Sequence, residues 1–328
     1  MNVFVDYIGH GDLSYSMFAL FEKRLGWNLY RPDLGPEWND YKIQTGTLTN
    51  EISPFYFKNE IQHVDILIYP YTQKILTFDQ FREMKIDIMI TTTWANETPF
   101  CMLQKKYHPK SLLIRQIANI HEKPVQIKNL LMSTLEPMPS DVDYLIYHPE
   151  QVDLFFSEDP TFSFIIKSFS NYLTSYPEDL QAWNQYRTSL IDFEFRMHGA
   201  GSELHTVPSK LMPASMREAM FIWHTKAVGS CGYVLRQALA SGKPCIVRKD
   251  YARIHNTLAQ NLLQDGVNCI DIDPKVRSFN ESLNLIREWS RPDVYPEKCE
   301  ATIKKFKNDI NFEEEAANIK TWILGKTS

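Results

Sequence analysis

His224 to Pro244, HTKAVGSCGYVLRQALASGKP, is the stretch on which the reading of this chain turns. An apolar run, Ala219 to Trp223, leads into a loop holding Gly229 and Gly232. The pattern then predicts a helix from Tyr233 to Ala240, a Ser-Gly-Lys-Pro break and a second short strand from Cys245 to Arg248. Glycine lets a backbone approach a ligand closely, and a helix start offers unpaired N–H groups suited to phosphate oxygens. Strand, glycine loop and helix in that order therefore predict an anion cradle.

Outward from this stretch the chain alternates strand and helix. Upstream, strand-like apolar runs fall at Asn2–Ile8, Val64–Tyr69, Ile86–Thr91, Leu112–Ile117 and Tyr144–Tyr147. Asp12 or Ser14 is placed to cap a helix carrying Met17, Phe18, Leu20, Phe21 and Leu25. Gly26 to Phe57, punctuated by Pro32, Pro36 and Pro54, reads as an elaborated loop, and the pattern turns irregular from about Ile165. Alternation resumes with a strand at Phe193–His198, a helix at Met216–Met220, a strand at Phe221–His224, a helix at Thr257–Leu263 and a strand at Cys269–Ile272. Helical patterns near Asn280–Trp289, Pro296–Asn308 and Phe312–Leu324 close the chain. Such alternation predicts two doubly wound, Rossmann-like α/β domains facing a central cleft. The expected division is an N-terminal domain over 1–170, a C-terminal donor-binding domain over 171–310, and a last helix over 311–328 packing back on the first domain.

Composition is that of a globular protein, 44% hydrophobic and 23% charged over 328 residues. No apolar run reaches the roughly 20 residues of a membrane span, and the first residues read as a strand, not a signal peptide. Five cysteines, odd in number and without a CxxC pair, argue against a disulfide framework or structural zinc and for a cytoplasmic setting. A net charge of −5 speaks against purely electrostatic nucleic-acid binding.

Several residues are candidates for chemistry. Gly9-His10-Gly11-Asp12 follows the first strand: its glycines suit close approach to a donor, and His10 or Asp12 a contact to sugar or acceptor, unless the segment is an ordinary turn capped by Asp12. It is not GxGxxG, and there is no Walker A sequence. Arg196, just before Gly199 and Gly201, is suited to a diphosphate, or else lies along a sheet edge. His224 and Lys226 stand before the glycine loop, where a lysine can neutralise a leaving diphosphate without a metal. Asp271-Ile272-Asp273 resembles a metal-holding DxD but closes a late strand, where a surface strand end is the expectation. Trp94-Ala95-Asn96-Glu97 is placed either to line an acceptor site or to cap a helix. Lys105, Lys106, His108, Lys110 and Arg115 concentrate positive charge that could track phosphates, or else mark a solvated helix end.

The C-terminal half, from Phe193 to Asp273, resembles GT-B glycosyltransferases, especially the retaining kind of glycosyltransferase group 1 (family-4-like). The likeness is carried by Gly229 to Pro244, with its Ala238-Leu239-Ala240-Ser241-Gly242-Lys243-Pro244 run, and by Leu262-Leu263-Gln264-Asp265-Gly266-Val267-Asn268. The opening MNVFVDYIGHGDLSYSMFALFEKRLG is similar to N-terminal domains of little-characterised phage and bacterial members. Two glutamates that family members often carry fall here on Gly229 and Gln237; the amide of Gln237 can still hydrogen-bond a ribose hydroxyl. The resemblance implies a nucleotide-diphosphate sugar, a UDP-sugar foremost, as donor substrate, with no permanently bound cofactor, no essential metal and retention of configuration. It places the donor along Gly9, Gly11, Arg196, Gly199, His224, Lys226, Gly229, Ser230, Cys231, Gly232, Tyr233 and Gln237, and the chemistry on His10, Asp12 and Lys226. Domain closure is expected to exclude water. The acceptor stays open among a saccharide, a protein and a modified DNA base, the last as in phage-type glucosyl- or arabinosyltransferases. A nucleotide-sugar 2-epimerase and a non-catalytic module that binds nucleotide sugar or a partner are the competing readings.

Overall fold

Val3, Phe4 and Val5 are almost wholly excluded from water, as expected of an apolar strand covered on both faces. In the computed structural model they form β1 (Asn2–Val5), an interior strand of the first of two parallel sheets. The structure describes residues 1–6, 11–33, 35–41, 74–91, 97–117, 128–131, 143–150, 155–157, 160–169, 177–199, 202–207, 211–225, 232–254 and 257–325; of these, the backbone alone is described at 11–14, 39, 97–99, 128–131 and 252–254.

The chain divides into two compact units. Unit 1 comprises Met1–Met132, Glu136–Glu150 and Asn311–Ser328; unit 2 comprises Ser133–Leu135 and Gln151–Ile310. In unit 1, β1 is joined by β2 (Asn28–Pro32), β3 (Lys74–Leu76), β4 (Ile88–Thr91), β5 (Leu112–Ile117), β6 (Lys128–Leu131) and β7 (Tyr144–Ile146), in the order β3-β2-β1-β4-β5-β6-β7. Every pairing is parallel. This is the 3-2-1-4-5-6 order of dinucleotide folds with a seventh strand added, and its order reverses between β1 and β4. One face packs Phe4, Trp38, Phe81, Phe100 and Leu103 into an aromatic core. Trp38 donates its indole N–H to Asp33 Oδ1 at 2.6 Å. The helix Phe78–Glu83 starts in a reciprocal cap between Thr77 and Gln80. The helix Phe312–Leu324 belongs to unit 1, where Trp322 donates to Asp143 Oδ1 at 2.5 Å.

Unit 2 holds β8 (Ile165–Ser168), β9 (Glu194–Met197), β10 (Phe221–His224), β11 (Cys245–Val247) and β12 (Cys269–Asp271), in the order β12-β11-β10-β8-β9. Again all pairs are parallel. Counted from β8, the order is 2-1-3-4-5, and the reversal falls between β8 and β10. Trp183, Trp223, Phe195, Ile246, Ile270 and Trp289 form its largest core.

Several sequence expectations are corrected. The irregular region beginning near Ile165 contains β8, a buried strand at the heart of the second sheet, lying before the expected boundary at residue 170. Glu194–Met197 is consequently not the first strand of that sheet but its edge. Asn28–Pro32 and Lys74–Leu76 are strands too; Pro32 is tolerated at a strand end, where it interrupts no ladder. The runs Val64–Tyr69 and Trp94–Asn96 lie outside the described residues. Among the described residues no helix is long and apolar enough to cross a membrane.

Candidate functional site

In open parallel sheets, ligands bind outside the carboxyl ends of the strands where strand order reverses. In unit 2 that place is set by Ser168 at the end of β8 and His224 at the end of β10. Ser168 is fully buried, and its hydroxyl has no hydrogen-bond partner among the described residues. After His224 comes Thr225, 3% exposed, whose Oγ1 accepts the indole N–H of Trp223 at 3.0 Å. The core tryptophan thus fixes the point at which the chain leaves the strand for the glycine loop. The loop ends at Gly232, which caps the helix Tyr233–Ala240 with φ 67° and ψ 48°. That left-handed conformation suits glycine, which has no Cβ to clash. From it the helix runs inward with Leu235 to Ala240 all buried.

The predicted residues divide into four groups. Gly9, His10, Lys226, Gly229, Ser230 and Cys231 lie outside the described residues. Gly11 and Asp12 open the helix Gly11–Phe18, directly after the β1 loop at unit 1's own reversal point. His224, Gly232, Tyr233 and Gln237 are gathered along the end of β10 and the helix that follows, with Tyr233 and Gln237 one turn apart and Gln237 only 3% exposed.

Arg196 and Gly199 sit at the sheet edge. Gly199 has φ 144° just beyond β9. Arg196 donates Nε and NH2 to Glu194 at 2.7 and 2.9 Å, and NH1 to Glu218 at 2.7 Å. These hydrogen bonds, to Glu194 first and then Glu218, raise its already high pKa further. A donor diphosphate would have to displace one of those carboxylates.

Sequence reasoning missed Lys167. It lies on β8 in register with Arg196 and is 1% exposed, and its amine donates to Ser215 O and Oγ at 3.0 Å and to Glu218. Burial lowers its pKa, while its hydrogen bond to Glu218 holds that carboxyl below the usual range. Beside it His198 stacks on Phe169, rings 5.2 Å apart and 11° from parallel, with its pKa lowered by burial first and Lys167 second. Next to this charged face runs an open groove of about 550 Å³ lined by His198, His205, Thr206, Ser215 and Glu218 among others. No sequence period announces Lys167, because a lysine between isoleucine and serine reads as a break in an apolar run.

Two further expectations change. Asp271 and Asp273 are not a surface strand end: they are 4% and 2% exposed. Asp271 Oδ1 accepts the amides of Lys249 and Asp273, Asp273 Oδ1 accepts that of Lys275, and Arg277 pairs with Asp265 at 2.8 Å beside them. Burial raises the pKa of Asp271. Their carboxylates are spent on turn amides, and among the described residues no group of three or more His, Cys, Asp or Glu side chains is arranged to hold a metal ion. The basic cluster is likewise dispersed. Arg115 is 6% exposed on β5, and His108 is buried with Nε2 2.8 Å from Phe81 O, leaving Lys105, Lys106 and Lys110 at the surface.

No protein-family model matches the chain, and no curated protein is similar enough in sequence to count as a relative. Solved structures are similar in fold across nearly the whole chain. Sucrose-phosphate synthase from Thermosynechococcus elongatus is 9% identical, with 99% of this chain and 98% of that one covered and a TM-score of 0.61. An α-glucosyltransferase in complex with UDP is 10% identical, with 98% and 99% covered and a TM-score of 0.59. The DNA modifying enzyme β-glucosyltransferase, solved with and without its substrate uridine diphosphoglucose, is 11% identical, with 98% and 99% covered and a TM-score of 0.57. The strand orders and these likenesses together establish the fold as GT-B, two Rossmann-like doubly wound α/β domains in one chain.

Proposed function

We propose that the chain is a glycosyltransferase that takes a sugar from a nucleoside diphosphate, UDP foremost, and transfers it with retention and without an essential metal. The observation that carries this reading is the place of the glycine loop: it leaves β10 at the reversal point of the unit 2 sheet and ends at a left-handed Gly232 opening a buried helix. Backbone N–H groups at such a helix start favour phosphate oxygens. A β-glucosyltransferase of the same fold whose substrate is uridine diphosphoglucose, and an α-glucosyltransferase of that fold in complex with UDP, support the donor class.

In this reading Gly229 to Tyr233 hold the diphosphate, Gln237 and His224 orient the nucleoside side, and Lys226 neutralises the charge that develops on the departing UDP. The bond from the sugar's anomeric carbon to the phosphate oxygen breaks, UDP leaves with the electron pair, the acceptor's hydroxyl oxygen bonds to that carbon, and its proton passes to the departing diphosphate. Gly9, His10, Gly11 and Asp12 serve the sugar and acceptor. Arg196 contributes only if the diphosphate outcompetes Glu194 or Glu218.

The test is a thermal-shift screen with UDP-, GDP-, ADP- and dTDP-sugars, followed by transfer of labelled sugar to saccharides, peptides and DNA bearing hydroxymethylated bases. A ligand at a hundred times its Kd stabilises by about 2.7 kcal/mol. A shift that is largely lost in Lys226→Ala, together with transfer to one acceptor class, supports the proposal. A shift without transfer to any acceptor favours the non-catalytic module, and no shift with any nucleotide sugar overturns the reading.

A further inference from the structure

The chain leaves unit 1 after Glu150 and returns to it at Asn311, apart from the three residues Ser133–Leu135. One side chain joins the unit 1 ends of both crossings. Arg24 forks onto Glu150, Nε to Oε2 and NH2 to Oε1 at 2.6 Å each, and turns NH1 to Glu313. Its guanidinium also lies 5.4 Å from the ring centre of Phe312. Glu150 is 4% exposed, so its charge needs a partner held close; Lys23 adds a contact at 3.4 Å.

Neighbouring bonds repeat the link. The backbone N–H of His148 donates to Glu315 at 3.0 Å, and His148 Nδ1 lies 2.5 Å from the same carboxylate. Tyr147, on the outgoing segment, donates its hydroxyl to Ser16 O at 2.8 Å. Arg24 itself ends a π-helical stretch, Ala19–Arg24, that continues the helix Gly11–Phe18. A π-helical turn is rare and recurs at functional places because it re-aims the residues at its end.

We propose that Arg24 is a positioning residue that fastens the outgoing segment and the returning helix to the helix rising from Gly11, making a single clasp on the unit 1 ends of the two chain crossings. A planar guanidinium can hold two carboxylates at once in fixed geometry, which a lysine ammonium does not. Glu313 alone is an exposed partner, and an isolated pair of that kind contributes little. Its weight comes from sharing a cation with buried Glu150.

Hydrogen exchange on the full chain tests the clasp. Arg24→Gln is expected to speed amide exchange roughly tenfold in both 143–150 and 312–324, with β9 and β11 of unit 2 unchanged. Glu313→Gln should speed only 312–324. Faster exchange in one segment alone on replacing Arg24 overturns the proposal. Should Arg24→Gln fail to fold, Glu150→Gln and Glu313→Gln are combined instead: effects that do not add support a shared cation, and additive effects refute it. A turnover arm rests on the glycosyl-transfer reading. There Arg24→Gln lowers kcat several-fold with UDP affinity unchanged, and an unaltered kcat would remove the clasp's bearing on catalysis. A parent protein without turnover counts against the transfer reading and leaves the exchange result standing.

Discussion

The two ends of the unit 2 sheet are built from the same strands and are opposites in character. At the amino end the chain is closed. Gly242, Lys243 and Cys245 are buried, Lys243 N bonds back to Ala238 O at 2.9 Å, and Tyr295 ties its hydroxyl to Met220 O at 2.8 Å. At the carboxyl end the strands run out into a hydroxyl without a partner among the described residues (Ser168), a half-buried histidine (His224) and a left-handed glycine (Gly232). Packing is concentrated at one end and polar capacity at the other, which is how a parallel sheet keeps a stable core beside a ligand edge. Substitutions at the amino end should therefore move stability and leave nucleotide binding alone, and those at the carboxyl end should move nucleotide binding more than stability.

The largest effect is expected from Gly242→Ala. A Cβ there would lie 2.8 and 2.9 Å from Cδ1 and Cγ1 of Ile303, at a backbone φ of +65°. Overpacking and left-handed strain together should cost about 2–4 kcal/mol in a urea melt. The folded fraction should bind UDP as the parent does. A loss below about 0.5 kcal/mol would show that the amino end yields more easily than its packing implies.

Next comes Lys243→Met. The Lys243 amine has no hydrogen-bond partner among the described residues and lies 6.0 Å from the Tyr295 ring centre. Burial pushes its pKa down from 10.5 to about 8. The unfolded chain then holds this proton more firmly than the folded one, so the penalty is full below pH 8 and fades as pH rises toward 10.5. Lys243→Met should gain about 1–3 kcal/mol at pH 7. Its advantage over the parent should shrink steadily in melts between pH 8 and 10. An advantage that does not change with pH would mean the amine is not the source.

How much of this was legible follows from the same contrast. Phe221–His224 and Tyr233–Ala240 fall where the sequence places them, because an apolar run, glycines and a proline punctuate that stretch without ambiguity. The helix Phe312–Leu324 was equally plain. β8 was missed because Lys167 and Ser168 occupy half of a four-residue strand, and the burial of Lys167 depends on Ser215 and Glu218, 48 and 51 residues away. Arg115 and His108 misled for the mirror reason: neighbours in sequence made a basic cluster, and tertiary packing hid two of its members. At the site, glycine positions could be read from the chain, whereas Glu218, the second carboxylate holding Arg196, could not, since it is 22 residues distant.

At the carboxyl end the expected changes in stability are smaller. Trp223→Phe removes part of a buried indole and its bond to Thr225, at about 1–2 kcal/mol. With the loop's starting point released, UDP affinity should fall by more than Gly242→Ala lowers it. Equal falls would break the contrast between the ends.

The smallest change in stability belongs to the paired variants Ser168→Ala and Thr91→Val. Both hydroxyls are fully buried at the reversal point of their own sheet, and neither has a hydrogen-bond partner among the described residues. An unsatisfied buried hydroxyl already bears its desolvation cost, so removing it should leave stability within about 0.5 kcal/mol or slightly raise it. Their functional consequences should diverge. If unit 2 takes the nucleotide, Ser168→Ala weakens UDP binding several-fold in a titration while Thr91→Val, in the other sheet, leaves it untouched. A fall in UDP affinity confined to Thr91→Val would move the donor to unit 1 and reverse the roles given to the two sheets.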